Sequence, residues 1–145
     1  MDTVTGPDRN NLLVALRIIK DPRAVPALRK ALSGPTAFVR CIAAEALGEM
    51  KATEAYTDLV ALTRDKDWQR GLDPKGLNCI PHVPAGAACY ALGALGDRRA
   101  VPVLIDCLAD GDLRHQARQG LEALTGQKLG DDPAAWAAWW KRQDR

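Results

Sequence analysis

The chain is poor in the groups that carry out chemistry. Only two histidines occur in its 145 residues, His82 and His115, and neither precedes a glutamate. No phosphate-cradling loop, Ser/His/Asp set or Gly-x-Gly-x-x-Gly is present. Four cysteines stand at 41, 79, 89 and 107 without one Cys-x-x-Cys pair. Cys79-x-x-His82, with Cys89 beyond it, offers three soft ligands but no fourth, so no metal and no cofactor is expected. No run of about 18 apolar residues could span a membrane. The opening Met1-Asp2-Thr3-Val4-Thr5-Gly6 lacks the basic and apolar regions of a signal peptide. With scattered cysteines that read as free thiols, this gives a cytoplasmic expectation. Twenty basic residues against 18 acidic leave a net charge of +2, too balanced for a nucleic-acid binder, which shows a basic stripe. The β-branched alternation that marks strands is also missing, so the fold class is all-α.

What the chain does have is repetition. Asp97-Arg98-Arg99-Ala100-Val101-Pro102-Val103-Leu104 nearly repeats Asp21-Pro22-Arg23-Ala24-Val25-Pro26-Ala27-Leu28. Arg40-Cys41-Ile42-Ala43-Ala44-Glu45-Ala46-Leu47-Gly48 is echoed by Gly86-Ala87-Ala88-Cys89-Tyr90-Ala91-Leu92-Gly93. Leu16, Leu47, Leu92 and Leu121 take equivalent places. Two of the steps between them are close to about 30 residues, one helical hairpin each, and the Leu47-to-Leu92 step is longer by about 14. In the first helix of a unit, Val25, Leu28 and Leu32 form one apolar stripe, and Pro26 falls in the first turn, where its missing N–H costs nothing. The second helix, from about 36 to 50, is alanine-rich and invites close approach. Gly48, Gly93 and Gly96, near the ends of such helices, are expected to permit the turn into the next unit. The expected helices are 8–19, 22–32, 36–50, 53–64, 84–95, 98–109, 112–124 and 133–143.

Val39-Arg40 followed by Ala43-Ala44-Glu45-Ala46-Leu47-Gly48, and Leu95-Gly96-Asp97-Arg98-Arg99-Ala100-Val101-Pro102, resemble the HEAT-repeat family, more narrowly the short bacterial type found in phycobilin lyases. The resemblance spans roughly residues 10–125. It implies an α-α superhelix, a HEAT-like solenoid of helical hairpins, in one domain over 1–145. It also implies a binding scaffold rather than an enzyme. Members that hold a di-iron centre do so with His-Glu pairs, which this chain lacks. The function expected is therefore a non-enzymatic scaffold for another protein; the alternative is a lyase-type or accessory subunit that binds a tetrapyrrole-like small molecule.

Three places stand out against the repeat. The insertion at about 65–82 has two glycines, two prolines and mixed charge, a loop by composition, and its Trp68, Arg70 and Lys75 are candidate partner-binding residues. Arg114 and Arg118 could line the concave face beside Arg40, although Glu45, Glu49 and Glu122 lie among them. Arg40 or Arg114 is expected to pair with an aspartate of the next unit, such as Asp97 or Asp21. At the front, Leu12, Leu13, Ile18 and Ile19 make a helix apolar nearly all round and open to self-association. At the rear, Asp132 should cap a closing helix at about 133–143 with Pro133 at its first position, and Trp136, Trp139 and Trp140 on one face should cover the last repeat.

Overall fold

The computed structural model describes residues 15, 18–34, 37–65 and 84–143, except the side chain at 38. Among these there are seven α-helices and no strand. In chain order they are α1 (Val25–Ala31), α2 (Ala37–Glu49), α3 (Tyr56–Leu62), α4 (Pro84–Leu95), α5 (Ala100–Leu108), α6 (Arg114–Thr125) and α7 (Pro133–Gln143). Short 3-10 turns, Pro22–Ala24 and Thr53–Ala55, lead into α1 and α3. The pairs α1/α2, α3/α4 and α5/α6 are hairpins, and α7 packs against α5. The chain is a helical solenoid.

The repeated phrases fold alike because they carry the same local device. The Asp21 carboxylate accepts the Arg23 N–H at 2.9 Å and takes the Arg23 guanidinium at 2.7 Å. Asp97 does the same for Arg99, at 3.0 and 2.6 Å. Each aspartate satisfies an orphan amide at a helix start. The arginine contact holds both carboxyls below the ordinary aspartate range. The middle hairpin lacks this phrase. There Tyr56 opens α3, and Arg99 of the next unit lies over its ring at 4.3 Å.

The second helices α2, α4 and α6 end on the left-handed residues Lys51 (φ 54°), Gly96 (φ 79°) and Gly126 (φ 73°), and Lys20 (φ 54°) takes the same conformation just before the Pro22–Ala24 turn. Of the three glycines expected to make turns, only Gly96 does. Gly48 and Gly93 lie inside α2 and α4 and serve helix contact instead. A methyl built on Gly48 would sit 2.6 Å from the Ala91 Cα, and one on Gly93 would sit 2.4 Å from the Gly120 Cα. The helices touch backbone to backbone there, which any side chain would prevent.

The two most extensive helix–helix contacts therefore run along the row α2–α4–α6. The row α1–α3–α5 is joined more loosely, by side chains such as Arg29 to Asp58 at 2.8 Å. A stack that is tighter along one row bends toward it, so α2, α4 and α6 line the concave side. Leu47, Leu92 and Leu121 are all fully buried between the rows, with Leu28, Leu59 and Leu104 from the first helices. The step from α3 to α4 passes through residues 66–83, which lie outside the described residues. Its two ends are closed by one bond, the Ala85 N–H donating to the Asp65 carbonyl at 2.8 Å. An insertion that leaves and returns at one point disturbs the hairpin little.

Candidate interaction surface

The concave side can be read by register. Two residues before each anchoring leucine stand Glu45, Tyr90 and Gln119; two after stand Glu49, Ala94 and Ala123. None of the six is buried. They form two rows across α2, α4 and α6, open to solvent in the middle of the stack. Tyr90 is 41 % exposed, and beside Ile18 and Ile19 it is the only large hydrophobic residue so exposed among those described. Half-buried Ala87 and Ala94 lie about one turn to either side, so a broad ring stands over small neighbours.

The arginines expected on this side are tied down to different degrees. Arg118 reaches Asp131 at 3.2 Å, and its other terminal nitrogen lies 3.3 Å from the His115 ring. Its Nε is buried without a partner. It thus fastens α6 to the segment before α7, and only part of its guanidinium faces outward. Arg114 is more exposed, its Nε donating to the Leu108 carbonyl at 3.4 Å. Arg40 does not pair with Asp97 or Asp21. Those carboxylates are taken by arginines two residues along their own chain, and Arg40 instead meets Asp65 at 2.8 Å, at the end of α3 in the next hairpin. The cross-unit pairing holds, with a different aspartate, because Asp65 stands where two hairpins meet. Trp68, Arg70, Lys75, Cys79 and His82 lie outside the described residues. Among the described residues no three His, Cys, Asp or Glu side chains come close enough to hold a metal ion. No helix among them is long and apolar enough to cross a membrane.

The looser convex row leaves clefts. One of about 500 Å³ lies between α3 and α5, with Val60, Val103 and Cys107 as its apolar lining and Arg64, Asp106 and Asp110 as its charged lining. A smaller one, about 230 Å³, lies between α1 and α3 around the Arg29–Asp58 pair. Cys41 is buried, and desolvation, followed by the negative charge of Glu45, pushes its thiol up to about 12. It is a neutral packing group rather than a nucleophile.

The rear end is built around Trp136, which is fully buried and donates its indole N–H to the Gly130 carbonyl at 2.8 Å. Trp139 meets it edge to face at 6.1 Å, and the Arg98 guanidinium lies over the Trp140 ring at 5.4 Å. Asp132 accepts the Ala134 N–H at 3.0 Å, the cap its sequence foretold. Trp139 and Trp140 are only half-buried, so one indole fills the core and two cover its edge. At the front, Ile18 and Ile19 are 73 % and 66 % exposed; Leu12 and Leu13 lie outside the described residues.

Sequence reasoning passed over Tyr90, which was visible only as one letter of a repeated phrase. The signal was its register two residues before Leu92, where the other copies carry Glu45 and Gln119.

Two family models match the chain. One, HEAT repeats, covers residues 6–71, and the other, PBS lyase HEAT-like repeat, covers residues 85–110. No curated protein matches it. The first match takes in α1, α2 and α3; the second takes in α4 and α5 with the Gly96-Asp97 turn between them. With hairpins that recur in one register and pack row upon row, this places the chain in the HEAT-repeat family.

Proposed function

We propose that the protein is a non-enzymatic scaffold that binds another protein on its concave side, with Tyr90 as the central contact. The observation that carries this reading is Tyr90 itself. A partly exposed tyrosine at the middle of the concave row is not required by the repeat, since Glu and Gln fill the same register elsewhere. Tyrosine brings large contact area with little side-chain entropy to lose, which is why it recurs at the energetic centres of interfaces. Arg114, at the start of α6 and turned toward the Leu108 carbonyl, would add a charge at the edge of this surface; Arg118 adds less, being engaged with Asp131. Trp68, Arg70 and Lys75 of the insertion would form a second contact.

Pull-down from native lysate tests this. The partner recovered by the wild-type chain should fall at least tenfold with Tyr90→Ala, about 1.4 kcal/mol, while the melting temperature stays within a few degrees. Recovery unchanged by Tyr90→Ala but lost in Trp68→Ala with Arg70→Ala would move the binding element to the insertion.

The tetrapyrrole reading draws on the match of residues 85–110 to the PBS lyase HEAT-like repeat. Against it, the cleft beside this stretch sets Asp106 and Asp110 against the single Arg64, a net negative lining that disfavours the carboxylates of such pigments. An absorbance titration with a linear tetrapyrrole should show no saturable shift. Self-association through Ile18 and Ile19 is a further part of the proposal. Light scattering should show a concentration-dependent dimer that Ile18→Lys with Ile19→Lys abolishes. The free thiols of Cys41, Cys89 and Cys107 suit a reducing compartment such as the cytoplasm.

A further inference from the structure

The two convex clefts are one groove repeated. Counted from the buried leucines Leu28, Leu59 and Leu104, Arg29 of the first cleft corresponds to Val60 of the second, and Asp58 to Val103. Asp65 likewise corresponds to Asp110, and Ala61 to Asp106. At the first boundary each acid of the groove holds an arginine: Asp58 takes Arg29 and Asp65 takes Arg40, both at 2.8 Å. The Arg29–Asp58 pair bridges α1 and α3, and the cleft around it measures about 230 Å³. At the second boundary two half-buried valines stand where that bridge would be, and the cleft widens to about 500 Å³. That volume falls among those of ligand pockets, about 300–1,000 Å³. Two acids meet two arginines at the first boundary, whereas the lining of the second sets Asp106 and Asp110 against Arg64 alone.

We propose that the cleft between α3 and α5 is a second docking site, which takes an arginine side chain presented by an extended segment of a partner protein. The first boundary supplies the template. There a guanidinium of the chain itself crosses between first helices to a carboxylate; at the second boundary the partner brings it. The alkyl stem of that arginine lies along Val60 and Val103, which offer apolar cover and no polar group of their own. Its planar fork meets the exposed Asp106 carboxylate in the two-bonded geometry that a lysine ammonium cannot match. Asp110 adds a second acid at the place where Asp65 takes Arg40 in the first groove. One Asp110 oxygen accepts the Asp112 N–H at 3.0 Å, and a carboxylate has sites for several donors. The net negative lining favours a basic segment over an acidic one. The site lies on the side opposite Tyr90, so it is independent of the concave surface and stands whether or not that surface binds.

The test titrates the nitrogen-15-labelled full chain with the peptide acetyl-Ala-Leu-Arg-Leu-Ala-amide and follows the amide signals by nuclear magnetic resonance. The expected result is a saturable shift of the Val60, Val103 and Asp106 signals, with those of Tyr90 and Gln119 unmoved. Citrulline in place of the arginine keeps the shape without the charge, and should weaken binding at least tenfold, about 1.4 kcal/mol. Asp106→Asn should do the same. Val60→Arg with Val103→Asp rebuilds the bridge of the first boundary and should abolish binding, whereas Tyr90→Ala should bind the peptide as wild type does. If the double variant fails to fold, Asp106→Asn still decides. No saturable shift at millimolar peptide would overturn the proposal, as would equal binding of the citrulline peptide or unchanged binding by either cleft variant. Overhauser contacts in the free chain from the Val60 and Val103 methyls to a side chain of residues 66–83 would also overturn it, by showing the cleft filled from within.

Discussion

Gly93→Ala should destabilise the protein, although alanine is the better helix former. In an ordinary helix interior the exchange gains about 1 kcal/mol. Here the new methyl carbon would lie 2.4 Å from the Gly120 Cα and 2.7 Å from its carbonyl oxygen. Both are backbone atoms of α6, so no side-chain rotation relieves the clash. Restoring ordinary contact needs α4 and α6 to part by roughly 1 Å, and a gap of that size forfeits about a quarter to a half of each dispersion well it opens. Fully buried Leu92, Leu104 and Leu121 pack in this part of the core. Overpacking of this kind costs typically 1–3 kcal/mol, and a backbone-on-backbone clash belongs at or above the top of that range. After the propensity gain, the net loss should be about 2 kcal/mol, a fall in melting temperature of about 4–8 °C. Gly111→Ala is the control: nothing lies within 4 Å of its methyl, so it should change stability by less than about 0.5 kcal/mol. Thermal melts followed by circular dichroism decide the matter. A Gly93→Ala variant that melts at or above wild type would refute the tight inner row, and with it the argument for which side is concave.

Lys51→Gly should stabilise the chain by about 0.5–1 kcal/mol in urea titration, since Lys51 holds φ at 54°, where glycine has no steric penalty; Gly96→Ala should lose a comparable amount. Leu47→Ala should cost about 2–5 kcal/mol by the same measurement, because Leu47 is fully buried among side chains that cannot close the hole. Trp136→Phe should lower the melting temperature by several degrees, through the lost bond to the Gly130 carbonyl and the void left by the smaller ring. Asp97 has its carboxyl depressed in the folded state by Arg99, so its contribution is present above the ordinary carboxylate value and is lost as pH falls through the lower folded value. Stability should therefore drop below about pH 4, and Asp97→Asn should reduce that drop; the effect is small, because Arg99 is largely exposed and solvent screens the pair.

The repeat was legible in the sequence because it is a local property. An aspartate ahead of the Ala-Val-Pro phrase caps the helix start in both copies, and Asp21 and Asp97 do so with the same bonds. The apolar period, the prolines in first turns and Asp132 ahead of Pro133 act within one or two turns of chain, so the letters alone gave hairpins, their order and the all-α class. The roles of the glycines needed the tertiary structure. Gly48, Gly93 and Gly96 look alike as letters near helix ends, yet Gly96 turns the chain while Gly48 and Gly93 admit a neighbouring backbone. That difference depends on what lies across the interface, which no spacing records. The same holds for the charges: Arg40 selects Asp65 because the close of α3 comes to stand beside α2, and Arg118 is turned to Asp131 by the chain's path into α7. Sequence determined the unit and the way it repeats. Only the stacking decided which face is concave and that Tyr90 stands open at its centre, because each depends on contacts between units far apart in the chain.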